Sequence, residues 1–218
     1  MTKYSRLQKD INGKKRYTIS PYIEAGFITP DNLIKIGEIA KKYGGGLRIN
    51  STQNISIINL KEEDLESVWK ELDMKPVIRH KYALKNIEIC SSNFCRMSKY
   101  PSIGLGMKIT RQFYGIELPG KAKIGVSGCK NSCISAYSKD IGVVVDGNGK
   151  LFITVGGIAG LNPRSANILV ENINEDEALE TVKNILSYYN KYGKSGEKLG
   201  NLIARLGIEK LKKELLSK

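Results

Sequence analysis

Apolar side chains recur along this chain at two spacings, and the changes between them mark out its elements. Residues 17–28 (YTISPYIEAGFI) read as extended. Thr29 then offers an N-cap and Pro30 a first helical residue, and Leu33, Ile36, Ile39 and Ala40 fall on one stripe, which predicts a helix. The run Gly44-Gly45-Gly46 ends it. In 47–60 (LRINSTQNISIINL) apolar and polar residues alternate in both halves, as in a half-buried strand. Residues 62–72 (EEDLESVWKEL) return to helical spacing, with Leu65, Val68, Trp69 and Leu72 on one side. This succession of strand, helix, strand and helix is that of a split β-α-β unit.

The character changes after Pro76. Residues 77–90 (VIRHKYALKNIEIC) lead into a first pair of cysteines, and 96–115 (RMSKYPSIGLGMKITRQFYG) read as helical despite Pro101. A short strand, 121–128 (KAKIGVSG), delivers a second pair, and 141–157 form a hairpin around Asp146-Gly147-Asn148-Gly149. Asn174 and Glu177 stand at capping-box spacing ahead of an amphipathic helix to Tyr192, with Ala178, Val182, Ile185, Leu186 and Tyr189 inward. Residues 196–218 close the chain as two short helices. With no internal repeat, low-complexity tract or long linker, the pattern predicts an α+β chain in two lobes, residues 1–77 and 78–218.

Composition narrows the functional classes. The 218 residues contain no run of 18 apolar positions, and the N-terminus has no apolar core of signal-peptide type, so a cytoplasmic protein without a membrane partner is expected. The net charge is +13, and 27 of the 35 basic residues are lysine. Such a surface attracts polyanions: nucleic acid, anionic membrane, acidic proteins or a polycarboxylate ligand. It is equally what a lysine-rich proteome produces. No zinc-finger spacing, RNP-like aromatic signature or basic zipper accompanies the charge, so no nucleic-acid partner is expected. His80, the only histidine, reads as an ordinary polar side chain, and Trp69 as core.

The four cysteines fall in two tight pairs, Cys90 with Cys95 and Cys129 with Cys133. In a reducing compartment such pairs are more often metal ligands or redox centres than disulfides. Spacings of x4 and x3 lie at the edge of the pattern for a closed tetrahedral zinc site. An iron–sulfur cubane also takes four thiolates but spreads them over a larger body, and Gly128 and the small Ser132 let the backbone turn around it. Spacing favours the cluster and leaves zinc and disulfides as alternatives.

The residues around the pairs add a resemblance. "GVSGCKNSC" resembles the G-C-P-N-x-C signature of the sirohaem-containing sulfite and nitrite reductases, and "ICSSNFC" sits where that family has its first pair. "DIGVVV", "VGGIAGLNPR" and "GEKLGNLIARLG" are similar to later parts of its sirohaem and 4Fe-4S domain. Upstream, "AGFITPDNLIKIGEIAKKYGGGLRINSTQNISI" is similar to its ferredoxin-like half domain. The resemblance thus implies an α+β fold: an N-terminal ferredoxin-like split βαβ lobe followed by an α/β sirohaem/4Fe-4S domain. It implies a 4Fe-4S cluster on Cys90, Cys95, Cys129 and Cys133, with Cys133 also the proximal ligand of the sirohaem iron. It further implies Arg48, Gln53, Asn131 and Arg164, with Arg111 in a lesser role, at the sirohaem pocket. Lys121 and Lys123, in a stretch similar to the family's Lys-x-Lys strand, join Arg48 as the catalytic cations beside a small oxyanion.

The implied activity is reduction of sulfite to sulfide, or of nitrite to ammonia, with electrons from an external ferredoxin or flavoprotein, because no nucleotide-binding fingerprint is present. The chain departs from the family pattern in its x4 first pair and in Lys130, where proline is usual. Thr52 and Tyr22 stand about where the family has further arginines. Those two departures thin the anion site and keep open an electron-transfer or redox-sensor protein that turns over no substrate. One copy of the two-lobe unit is present where larger members carry two, and a homodimer could rebuild the pair.

Overall fold

The computed structural model describes residues 4–8 and 13–216. It divides into two compact units, Met1–Arg79 and His80–Lys218. The first contains β1 (Ser5–Leu7), β2 (Tyr17–Ile19), α1 (Pro30–Lys42), β3 (Gly46–Ile49), β4 (Ile55–Leu60) and α2 (Leu65–Leu72). Its sheet runs in the order β1-β2-β4-β3 with every neighbour antiparallel. Strands β2 and β3, joined through α1, are therefore parallel with β4 inserted between them, which is the split β-α-β arrangement. Thr29 caps α1 through its side chain, which accepts the Asn32 N–H at 3.3 Å. Tyr17, Ile19, Ile36, Ile57, Leu60, Leu65, Val68 and Leu72 pack together in its core, with Trp69 at the margin.

The second unit contains β5 (Leu84–Ile89), α3 (Ile103–Phe113), β6 (Ala122–Ser127), β7 (Ile141–Val145), β8 (Leu151–Val155), β9 (Asn167–Ile173), α4 (Glu175–Tyr192), α5 (Leu199–Leu206) and α6 (Ile208–Leu216). Its five-stranded sheet follows chain order, with β5, β6 and β7 parallel and β8 and β9 antiparallel. Every residue of β7 and β8 is buried, so both faces of the sheet centre are covered. Helix α3 packs on β5 and α4 on β8, while the 3₁₀ turn Ala136–Ser138 lies against β7. Ala136, Val144 and Phe152 form a small core beneath that turn.

Three readings of the pattern are corrected, and two strands were not read from it. Residues 47–60 are a hairpin, β3 and β4, because Asn50 and Asn54 close a turn between two alternating halves (Asn50 N–H to Asn54 O, 2.8 Å), with Gln53 at φ 57°. Only 17–19 of the extended stretch 17–28 form a strand, and beyond them Pro21, Glu24 and Phe27 make isolated bridges. Helix α3 starts at Ile103, since the residue before Pro101 is pushed out of helical geometry and the loop's amides bond elsewhere. Finally, β1 is too short and β9 too irregular to show a period. Register shifts in the pairing of β8 with β9, and Asn172 at φ 61°, disrupt the alternation of β9. Capping of α4 follows expectation: the Asn174 side chain accepts the Glu177 N–H at 3.0 Å, and the Glu177 carboxylate accepts the Asn174 N–H at 2.8 Å.

Candidate metal centre

Sheet pairing sets the loops that carry the two cysteine pairs side by side. Strands β5 and β6 are parallel neighbours with Ile89 opposite Val126, so the loops carrying Cys90 and Cys129 leave adjacent strand ends. The Cys90 N–H donates to the Val126 carbonyl at 3.0 Å, and the Gly128 N–H donates to Cys90 Sγ at 3.1 Å. In return the Gly128 carbonyl accepts the Lys99 N–H at 2.9 Å and the Ser98 hydroxyl at 3.2 Å. A Cβ at Gly128 would lie 2.4 Å from Ser92 Cβ and 2.4 Å from Ser98 Oγ, so only glycine lets the loops approach this closely.

Each loop is also held from within. A 3₁₀ turn, Ser92–Phe94, separates Cys90 from Cys95, and the Ser102 hydroxyl donates to Ser92 Oγ at 3.0 Å. In the second loop Ser127 Oγ donates to the Cys129 carbonyl at 3.0 Å, and Ser132 Oγ accepts the Ala136 N–H at 2.8 Å. Ser132 and Ser135 both sit in the left-handed region, at φ 48° and 57°. All four thiols are free; Cys90 and Cys129 are half-buried, and Cys95 and Cys133 are exposed. Among the described residues no three His, Cys, Asp or Glu side chains gather closely enough to hold one metal ion.

Between Cys129 and β7 the chain crosses back along the sheet, and this crossover floors a groove. Its open part, a cleft of about 600 Å³, is lined by Lys130, Asn131, Ser132, Tyr137, Ile158 and Arg164 among others. Arg164 is held there by Asn201 Oδ1 at 2.7 Å and the Gly200 carbonyl at 3.4 Å. An adjoining cavity of about 140 Å³ shares Ser138, Ile158 and Ala159 with the cleft and is lined beyond them by Lys121, Lys123, Asp140 and Lys198. Asn131, Arg164, Lys121 and Lys123 thus lie along one groove, whereas Lys123 is separated from Cys129 by most of β6, roughly 20 Å of extended chain. Lys121 and Lys123 are exposed on either side of buried Ala122.

Of the remaining candidates, Arg111 belongs to the second unit, and Arg48 and Gln53 to the first. Arg111 is exposed in the last turn of α3. Arg48 is exposed on the edge strand β3, and Gln53 lies at the turn of the β3–β4 hairpin against Gly26. His80 is exposed, with Nδ1 2.8 Å from the Tyr82 carbonyl.

Three groups escaped sequence reasoning. Asp140 is buried; its Oδ2 accepts the Lys123 N–H at 2.9 Å, and its Oδ1 has no hydrogen-bond partner. Burial pushes its carboxyl up to about 6, opposed by the Lys123 N–H and the Lys198 charge. Lys198, at the N-cap of α5, joins the cavity from far along the chain. Lys139 forms a buried ion pair with Glu88 at 2.9 Å, and Glu88 also accepts from Asn86 at 3.2 Å. The one visible signal was a carboxylate, Asp140, set directly before the apolar run IGVVV.

Comparison with known proteins settles the family. The profile of the nitrite and sulphite reductase 4Fe-4S domain matches residues 86–218, and that of the nitrite/sulfite reductase ferredoxin-like half domain matches residues 8–75. The chain belongs to the nitrite and sulphite reductase family. It is 29% identical over 212 residues to an assimilatory-type sulfite reductase of Nitratidesulfovibrio vulgaris, covering 96% of this chain and 95% of that protein. To the NAD(P)H nitrite reductase of Bacillus subtilis it is 31% identical over 206 residues, 93% of this chain but only 25% of that much longer protein. The fold is also that of dissimilatory sulfite reductase I, with a TM-score of 0.80 at 17% identity over 94% of this chain and 70% of that one. In this oxyanion-reductase family the second unit is the iron–sulfur domain, with the ferredoxin-like half domain preceding it. Among the described residues no helix is long and apolar enough to cross a membrane.

Proposed function

We propose that this chain is a sirohaem- and 4Fe-4S-dependent reductase that converts sulfite to sulfide, or nitrite to ammonia, with electrons from a separate ferredoxin or flavoprotein. The observation that carries the reading is the delivery of two thiol pairs from adjacent parallel strand ends, beside a groove holding Asn131, Arg164, Lys121 and Lys123. The donor set fits a cluster: four unbridged thiols, a backbone N–H already directed at one sulfur, and a glycine that permits the close approach. Cys90, Cys95, Cys129 and Cys133 would hold the cluster, with Cys133 shared with the tetrapyrrole iron. When bound, these groups supply the electrons at the reacting anion.

The protein's own contribution is electrostatic. Sirohaem is a polycarboxylate, and Arg164, oriented by Asn201, is the carboxylate partner offered by the cleft, with Asn131 beside it as a neutral donor. Arg111 and Gln53 complete the proposed cofactor contacts. Lys121 and Lys123, with Arg48, offset the charge of the oxyanion and supply protons as its oxygen leaves as water.

Protein purified without oxygen should contain iron and acid-labile sulfide and show the bands of an isobacteriochlorin. Reduced methyl viologen should then drive turnover of sulfite or nitrite. A colourless protein free of acid-labile sulfide refutes the assignment. A second reading has support of its own: Thr52 and Tyr22 thin the anion site, and the chain is 28% identical over 198 residues, 89% of its own length but 25% of the other protein, to an assimilatory nitrate reductase electron transfer subunit of Bacillus subtilis. A coloured protein that passes electrons but reduces neither anion selects that reading.

A further inference from the structure

The lysine end of the groove contains a group that the family likeness does not use. Four lysines line the 140 Å³ cavity, and the Lys139 ammonium is taken up by Glu88, which leaves Lys121, Lys123 and Lys198 facing a single carboxyl, Asp140. Asp140 is only 7% exposed, and only one of its carboxyl oxygens has a donor. An anion settling among the lysines meets a second negative charge across the cavity unless Asp140 is neutral. We propose that Asp140 is the proton-holding group of this cavity, taking up one proton from solvent when a small oxyanion of the sulfite or phosphate class binds among Lys121, Lys123 and Lys198. The inference rests on the proposed function only for the class of anion.

Burial already raises the Asp140 carboxyl to about 6, so it is largely ionised at pH 8 and largely protonated at pH 5. An anion beside it raises it further, and by reciprocity the anion binds more weakly as pH rises through the range above about 6, by up to tenfold per unit. The other charged and polar groups around Asp140 come from several elements. Lys121 and Lys123 come from β6, Ser138 and Lys139 from the crossover, and Lys198 from the cap of α5. Tyr189 of α4 donates its hydroxyl to the Glu197 carbonyl, and the Glu197 carboxyl, bound to Arg205, is held down at about 2. Lysine and tyrosine side chains in general titrate well above this window and carboxylates below it.

Sulfate is the probe, because its own charge is constant from pH 5.5 to 8. Titration calorimetry on the full chain at constant ionic strength should show binding at pH 5.5 that weakens at least fivefold by pH 8. Repeating it at pH 7 in two buffers of different ionisation heat should reveal proton uptake. Asp140→Asn keeps an acceptor for the Lys123 N–H and should bind sulfate with the same affinity throughout, while Lys198→Gln should weaken binding at every pH. Absence of sulfate binding at pH 5.5, an Asp140→Asn variant as pH-sensitive as the parent, or an unaffected Lys198→Gln overturns the proposal. Should Asp140→Asn not fold, the two-buffer measurement decides, and no proton uptake overturns it. Binding must also survive loading with tetrapyrrole; loss on loading would assign the cavity to a macrocycle carboxylate instead. Because sulfate binding needs no electrons, a protein that binds it but reduces nothing fails the proposed function alone, and one that turns over without binding it fails this inference alone.

Discussion

Gly128 is where the two cysteine loops touch, and its missing side chain is what allows it. A methyl group there would press on Ser92 and Ser98 and approach the Tyr100 carbonyl to 3.0 Å. Gly128→Ala should therefore part the loops, costing about 1–3 kcal/mol in urea denaturation. It should also abolish the iron and sulfide content of protein purified without oxygen, while Gly147→Ala, in open space at the β7–β8 turn, leaves that content unchanged. Retained cluster content in Gly128→Ala would show that the contact is dispensable. Residues of this kind were partly legible in the sequence. A glycine before a cysteine pair suggests a tight turn, yet nothing in the spacing says that it faces Ser92 and Ser98. The same holds for Asp140, whose partners Lys123 and Lys198 are distant in sequence from it and from each other.

Among the elements, the crossover from Cys133 to β7 does two things at once. Its 3₁₀ turn sits on the small core of Val144 and Phe152, and Lys139 at its end reaches Glu88 on β5, two residues before Cys90. The buried pair therefore ties the strand that delivers the first cysteine pair to the segment that follows the second. Glu88→Ala strands the Lys139 ammonium and should cost about 3 kcal/mol, whereas the double variant Glu88→Leu with Lys139→Met should recover most of that loss. Equal destabilisation by the single and double variants would show that the pairing contributes nothing. Elements themselves were easier to read than their pairing. Helices α1 and α4 announce themselves by caps and stripes. The β3–β4 hairpin was masked because strand alternation on both sides of a turn looks like one long strand, and β9 because its bulges break the alternation.

For the whole molecule the charge of +13 is the property no single element explains. If electrons arrive from an acidic protein donor, the rate of reduction should fall several-fold as salt rises from about 20 to 500 mM, since screening removes the long-range attraction. Reduction by cationic methyl viologen should instead hold or rise over the same range. Stopped-flow measurement with both donors checks this, and parallel trends would show that the basic surface does not steer the donor.

Composition and local pattern alone determined the α+β class, the helix caps, the thiol pairs and, through the order of motifs, the family. Apart from that order, those features depend on residues within a turn or two of one another, where a chain's chemistry is read directly. Which loops meet, that Arg164 and Asn131 share a cleft, and that Lys121, Lys123, Asp140 and Lys198 enclose one cavity were decided by sheet pairing and by the crossover of the chain. Contacts between residues so far apart arise only when hydrophobic burial closes the sheet around its core, and burial then sets the proton affinity of Asp140 as well.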